Sequence, residues 1–184
     1  MIAITASSCK SKQQVAKVTG KQEVSIPFEK EGKNNSTSFL SSASAESPNV
    51  DFAKTMAINI CRSRLAAEMK VVSKNAITNS RVIRTNTVGS DQKVEYDDKA
   101  NDVISSISDR MLNNIDVTDS KTFYNADKNL YTVYVLMEAK RADVDAKIKD
   151  AFSNDEKLRQ DFEFEKYKEE ADKEFEKAKS QRNY

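Results

Sequence analysis

From Ser47 to Ala76 the chain carries no glycine, and no proline after Pro48; the next breaker is Gly89. An uninterrupted run of this kind reads as a helix of about 40 Å at helical rise. Ser47-Pro48 opens it, because Ser can cap free amides and Pro at the first turn loses no hydrogen bond. At 100° per residue, Phe52, Met56, Ala57, Ile60 and Val71 fall on one side. Ile58, Leu65, Met69 and Val72 fall on the other. So wide an apolar arc predicts a core helix contacted from two directions.

The elements around it follow from local pattern. Ser25-Ile26-Pro27-Phe28 is extended, since Ile26 precedes a proline, and Glu29–Ser36 is a loop around Gly32. Thr37–Ala45 is a strand whose small side chains let the helix lie close. Beyond Ala76 the β-branched run Ile77–Val88 would pass for a strand, yet nothing breaks the helix before Gly89, so the helix is expected to continue and fray there. Glu95–Ile115 is a second helix, with Val103, Ile104, Ile107, Met111 and Leu112 on one face. Val117–Tyr124 and Leu130–Ala139 form a hairpin closed by Asn125–Asn129, with Tyr131, Val133, Val135 and Met137 alternating against Thr132, Tyr134 and Leu136. Lys140–Phe152 is a short helix. Asn154-Asp155 caps a long, charged C-terminal helix to about Lys179. Its apolar positions are Leu158, Phe162, Phe164, Tyr167, Ala171, Phe175 and Ala178, and pairs such as Glu169 and Lys173 lace its exposed side. The expected fold is α+β: a long central helix packed on a small antiparallel sheet, with a long charged C-terminal helix.

The N-terminus carries a different kind of information. Met1–Ala6 is apolar, Ser7-Ser8 are small, Cys9 follows, and the chain then turns basic at Lys10 and Lys12. This resembles the end of a bacterial lipoprotein signal, in which small residues precede the cysteine that becomes lipid-modified. Ala6 stands where leucine is usual. The basic start and most of the apolar stretch of such a signal are missing, so Met1 is expected to be internal to a longer signal or a late start. Residues 1–9 are thus a truncated signal ending at the lipid-bearing Cys9. Residues 10–24 are a flexible tether, and 25–184 form one α+β domain. No segment is long and apolar enough to span a membrane, so attachment would rest on lipid at Cys9.

Composition narrows the function classes. Thirty Lys and Arg against 29 Asp and Glu leave a net charge of +1, which argues against a nucleic-acid binder. The absence of His removes the commonest general base and metal ligand. No Ser/His/Asp set, phosphate loop or framed pair of carboxylates is present, so no catalytic residue, metal or cofactor is assigned.

Taken in order, the signal-like Cys9, the Pro-bearing lead, the small-residue strand and a helix reading Cys61-Arg62-Ser63-Arg64-Leu65-Ala66 form a pattern. Tyr131-Thr132-Val133-Tyr134-Val135 with Glu138 and a charged C-terminal helix complete it. The pattern, over about Ser25 to Tyr184, resembles the Lpp-twenty lipoprotein family of Gram-negative envelopes. Ser42, Ala43 and Ser44 stand where that family usually has glycines, and Cys61 and Ser63 where it has alanines. The resemblance implies an α+β fold related to the N-terminal domain of a flagellar assembly protein, and no agreed activity. Family sorting rules, with Lys10 rather than aspartate after Cys9, imply the outer membrane facing the periplasm.

Other candidate sites weigh against simpler readings. Cys61, mid-helix among apolar neighbours, reads as a small buried thiol rather than a redox group, and a disulfide to Cys9 is not expected. Arg62 and Arg64 are candidate contacts for an anion or a partner, against snorkelling or pairing with Glu68 or Glu138. Glu95, Asp97 and Asp98 read as a capping cluster rather than a cation site. Tyr131 and Tyr134 read as core or edge filler rather than a ligand platform. The function expected is a lipid-anchored envelope protein acting as a binding or assembly module. Its partners would be the membrane through Cys9 and a protein, or a second copy, through the C-terminal helix. The alternative is a small ligand-binding protein or enzyme with a pocket between the sheet and the central helix.

Overall fold

The computed structural model describes residues 25–82, 90–112 and 115–181. Cys9 and the tether 10–24 lie outside the described residues. Three strands and four helices follow in the order β1 (Ser38–Ser47), α1 (Val50–Val82), α2 (Ser90–Leu112), β2 (Val117–Asn125), β3 (Leu130–Lys140), α3 (Arg141–Asn154) and α4 (Phe164–Gln181). The sheet is antiparallel throughout, in the order β1-β3-β2. The expected α+β architecture is the one found: a three-stranded antiparallel sheet packed against the long α1, with three further helices.

Register explains why small residues sit on β1. Ala43 pairs with Val135 and Ala45 with Val133, so all four share a face. That face meets α1 along Ala53, Ala57, Cys61, Leu65 and Met69, none of which has exposed surface. Alanine at 53 and 57 brings the helix axis close to the strands, and the longer Leu65 and Met69 fill the space where the twisted sheet falls away. Burial of one such large side chain contributes roughly 2–3 kcal/mol.

The two-direction reading of α1 needs correcting. Phe52, Met56 and Val71 are exposed. The buried residues recur every three or four positions as one stripe, Ala53 to Ala76 and Ile77. The partners change along the helix as the stripe turns about its axis. Its first half lies on the sheet, where Cys61 Sγ reaches the carbonyls of Ser41 and Val135. Its second half meets α4, where Asn75 and Asn79 donate to Glu174, and then α2, where Arg81 pairs with Asp97. Helical twist slowly rotates a four-residue stripe about the axis, so a long helix can serve successive neighbours.

The ends of the elements also shift. Ser47 is the last residue of β1, and its Oγ accepts from the Asn49 N–H at 3.0 Å. Asn49 Oδ1 accepts from the Phe52 N–H at 3.0 Å and is the helix cap. The helix does run past Ala76, to Val82; the expected fraying before Gly89 lies outside the described residues. The final helix starts at Phe164, not at Asn154. Asp155 Oδ1 instead accepts from the N–H groups of Lys157 and Leu158, closing a turn that buries Leu158. Lys173 pairs with Glu170 rather than with Glu169. Tyr167, Ala171 and Phe175 of α4 are buried, with Phe175 edge-on to Phe39 of β1 at 4.9 Å.

On the opposite face of the sheet, Phe28, Leu40 and Leu136 form a small second cluster with Tyr134 against it. The segment before β1 folds over that face through a turn at Phe28, whose φ is 62°. A left-handed residue other than glycine costs roughly 1–2 kcal/mol, which burial of the phenyl ring offsets. Gly32 completes the turn. A Cβ there would lie 2.3 Å from Ser42 Oγ, so only glycine lets this loop seat on β1.

Candidate functional site

The sequence-derived candidates do not converge. Arg62 and Arg64 stand two positions apart on α1, about 200° around the helix, so they cannot form one anion clamp. Arg64 is exposed, and its Nη1 donates to the Ser42 carbonyl at 2.7 Å. Arg62 is half-buried, and its Nε, shut off from solvent, makes no hydrogen bond among the described residues. Cys61 is fully buried and free, and burial pushes its thiol up. That favours the protonated, unreactive form expected of it. Glu95 and Asp97 do not cap α2, which begins five residues before Glu95. Glu95 pairs with Lys157, and Asp97 Oδ1 takes Arg81 Nη1 at 2.5 Å. Arg81 also lies 4.0 Å over the Tyr96 ring, and burial raises that phenol to about 12. These contacts tie α1, α2 and the 155–161 turn together, which is structural work.

A second polar cluster escaped sequence reasoning. The Tyr167 hydroxyl donates to Asp145 Oδ1 at 2.9 Å, and Arg141 Nε lies 3.6 Å from Asp145 Oδ2. Arg141 Nη2 pairs with Asp172. These Arg141 contacts are ionic rather than well-angled hydrogen bonds, since Nε and Nη2 make none. Burial, more than any neighbour, lifts the Asp145 carboxyl above its ordinary range, against the lowering effects of Tyr167 and Arg141. The folded chain therefore holds this proton more readily than the unfolded chain. The contribution of Asp145 to stability falls as pH rises through the raised pKa. A cleft of about 440 Å³ opens beside it, lined among others by Thr37, Lys149, Phe164 and Lys168. The cluster joins α3 to α4, and the Arg141 N–H donates to the Thr37 carbonyl at 2.9 Å, fastening α3 to the start of β1. Tyr167 was legible only as an apolar position at helical spacing; its hydroxyl partner Asp145 sits 22 residues away on another helix.

The space between sheet and α1, where a pocket was the alternative expectation, is filled by the fully buried residues at 53, 57, 61, 65 and 69. The feature left open is the edge of the sheet. Eight of the nine β2 residues are exposed, and the ninth is half-buried. Phe123 and Tyr124 are 51% and 53% exposed. Phe123 meets Tyr134 edge-on at 5.7 Å, and Tyr124 meets Tyr131 at 4.8 Å. The two tyrosines of β3 thus pack beside the exposed strand, and Tyr134 also against the Phe28–Leu40–Leu136 cluster. Among the described residues no group of three or more Cys, Asp or Glu is placed to hold a metal ion, and no helix is long and apolar enough to cross a membrane. No protein-family model, curated protein or solved structure matches this chain.

Proposed function

We propose that this chain is a lipid-anchored cell-envelope protein of the Lpp-twenty kind, held at the outer membrane through Cys9, and that its α+β body is a binding or assembly module. No reaction is assigned to it. The anchor rests on the run of small residues before Cys9. The assembly reading is carried by the nine-residue edge strand β2, exposed on both faces and bearing Phe123 and Tyr124. A bare strand edge is a template for another chain, and proteins that do not use one usually cover it. The C-terminal helix offers a partner only its charged side, since Tyr167, Ala171 and Phe175 are buried within the same chain.

Two measurements test the reading. Behind a complete lipoprotein signal, the protein should take up labelled palmitate and fractionate with membranes, and Cys9→Ala should do neither. Label retained by Cys9→Ala defeats the anchor. A photo-crosslinking residue at position 123 should give a protein adduct in intact cells. A saturable rise in melting temperature with a small molecule, and no adduct, would favour the ligand-binding alternative.

A further inference from the structure

The backbone of β2 presents a defined edge. On β1 the Leu40 N–H turns away from β3, because it donates to Asn34 Oδ1 at 2.8 Å. Odd-numbered β1 residues therefore bond β3, through the pairs Ser41 with Met137 and Ala43 with Val135. The even-numbered β3 residues then bond β2, through Leu136 with Asp119 and Tyr134 with Lys121. Ser120, Thr122 and Tyr124 are left with their peptide groups pointing outward. The Ser120 N–H confirms this direction: it is taken by the neighbouring Asp119 carboxylate at 2.7 Å. Among the described residues no side chain from elsewhere in the chain reaches this edge.

We infer that two copies of this chain pair antiparallel along β2, with the two-fold axis at Ser120. The proposal rests on the assembly reading and names a second copy as the partner. Charge selects the register. An axis at Ser120 puts Asp119 opposite the partner's Lys121 and Lys121 opposite the partner's Asp119, two cross-strand ion pairs on one face. An axis at Lys121 puts that lysine opposite itself. An axis at Thr122 puts Lys121 opposite the partner's Phe123, and neither charge meets its opposite. At the Ser120 axis, Ser120 pairs with the partner's Ser120 and Thr122 faces the partner's Thr118, where the register shift between Val117 and Asp119 ends the regular ladder. Asp119 and Lys121 are both exposed. Their present contacts, to the adjacent Ser120 N–H and, at 5.2 Å, to the Phe28 ring, are local ones that a partner can replace. A closed isologous pair would join the two sheets into six strands and remove the bare edge.

Sedimentation velocity on the full chain over a concentration series gives the first test. Association is expected, with Asp119→Lys and Lys121→Asp each weakening it by about tenfold or more, since each places like charges opposite twice. The double variant Asp119→Lys/Lys121→Asp should restore the parent affinity, a rescue that folding defects cannot produce. Ser120→Cys, in a Cys9→Ser background, should oxidise to a disulfide dimer. Paired residues there lie about 5.5 Å apart, whereas Thr122→Cys would place its thiols about 14 Å apart. Cys61 is buried and does not compete. A monomer at every concentration overturns the proposal, as does a dimer indifferent to the charge changes or one that oxidises through Thr122→Cys alone. A monomer that still crosslinks from position 123 to a different protein overturns self-pairing and leaves the assembly reading standing.

Discussion

The two edges of the sheet are treated in opposite ways. On β1, Asn34 accepts from the Leu40 N–H, Asn35 Oδ1 accepts from the Ser38 N–H, and Arg64 donates to the Ser42 carbonyl. Three side chains, from a loop and from α1, thus close the edge that another strand would otherwise use. The Asn34 amide also donates to Glu68 of α1 at 2.5 Å, so the cover is tied to the core helix. On β2 the sole such contact among the described residues is the local one from Ser120 to Asp119. One edge is thus capped by residues from elsewhere in the chain, whereas the other carries only its own charged side chains and the register shift between Val117 and Asp119. The two aromatics repeat the contrast. Phe39 on β1 is buried against Phe175, and Phe123 on β2 is half in water.

The largest break in this comparison should come from Phe39→Ala. It opens a cavity between β1 and α4 and should cost about 3–5 kcal/mol in chemical denaturation. An unfolding midpoint close to the parent's would mean that β1 is not the structural edge. Next is Asn34→Ala. It leaves the Leu40 N–H and Glu68 without their amide partner in a part-buried setting, a loss of about 1–3 kcal/mol. Amide exchange at Leu40 should rise with it, and unchanged exchange would place the cover of this edge elsewhere. Arg64→Ala should matter less, about 0.5–1 kcal/mol, because its bond to Ser42 is exposed. Smallest is Phe123→Ala, within about 0.5 kcal/mol for the monomer. Its effect belongs in association, so a large loss of monomer stability would place Phe123 in the fold rather than at an interface.

Much of the fold could be read from residue pattern, for local reasons. Alternation of Val133, Val135 and Met137 against Thr132 and Tyr134 announces β3, because a strand's side chains point to opposite faces whatever lies around them. The hairpin and the persistence of α1 beyond Ala76 follow equally from neighbouring residues. The helix caps were harder. Ser47 and Asn49 are both good capping residues, and strand pairing of Ser47 with Tyr131 decides between them. Asp155 likewise looks like a helix cap in sequence, yet Leu158 finds a buried place that stops the helix and forms a turn.

The candidate site was less legible. Arg62 and Arg64 look adjacent on paper but diverge around α1. Asp145, Tyr167 and Arg141 come together only because the tertiary fold brings side chains of α3 and α4 within reach of each other. The exposure of Phe123 could not be read from VTDSKTFYN, since strand order decides whether that segment lies at the centre of the sheet or at its edge.

The residue pattern by itself therefore determined the kinds of element and their order, and the close approach of α1 to a small-residue strand; the lipid anchor at Cys9 is proposed from the same kind of local motif. Each depends on contacts within a few residues or on the chemistry of a short motif. Tertiary structure alone decided which apolar residues of α1 face water, which acids pair with which bases, and which strand is left bare. Those outcomes depend on where distant segments come to lie, and a one-dimensional pattern carries no register between them.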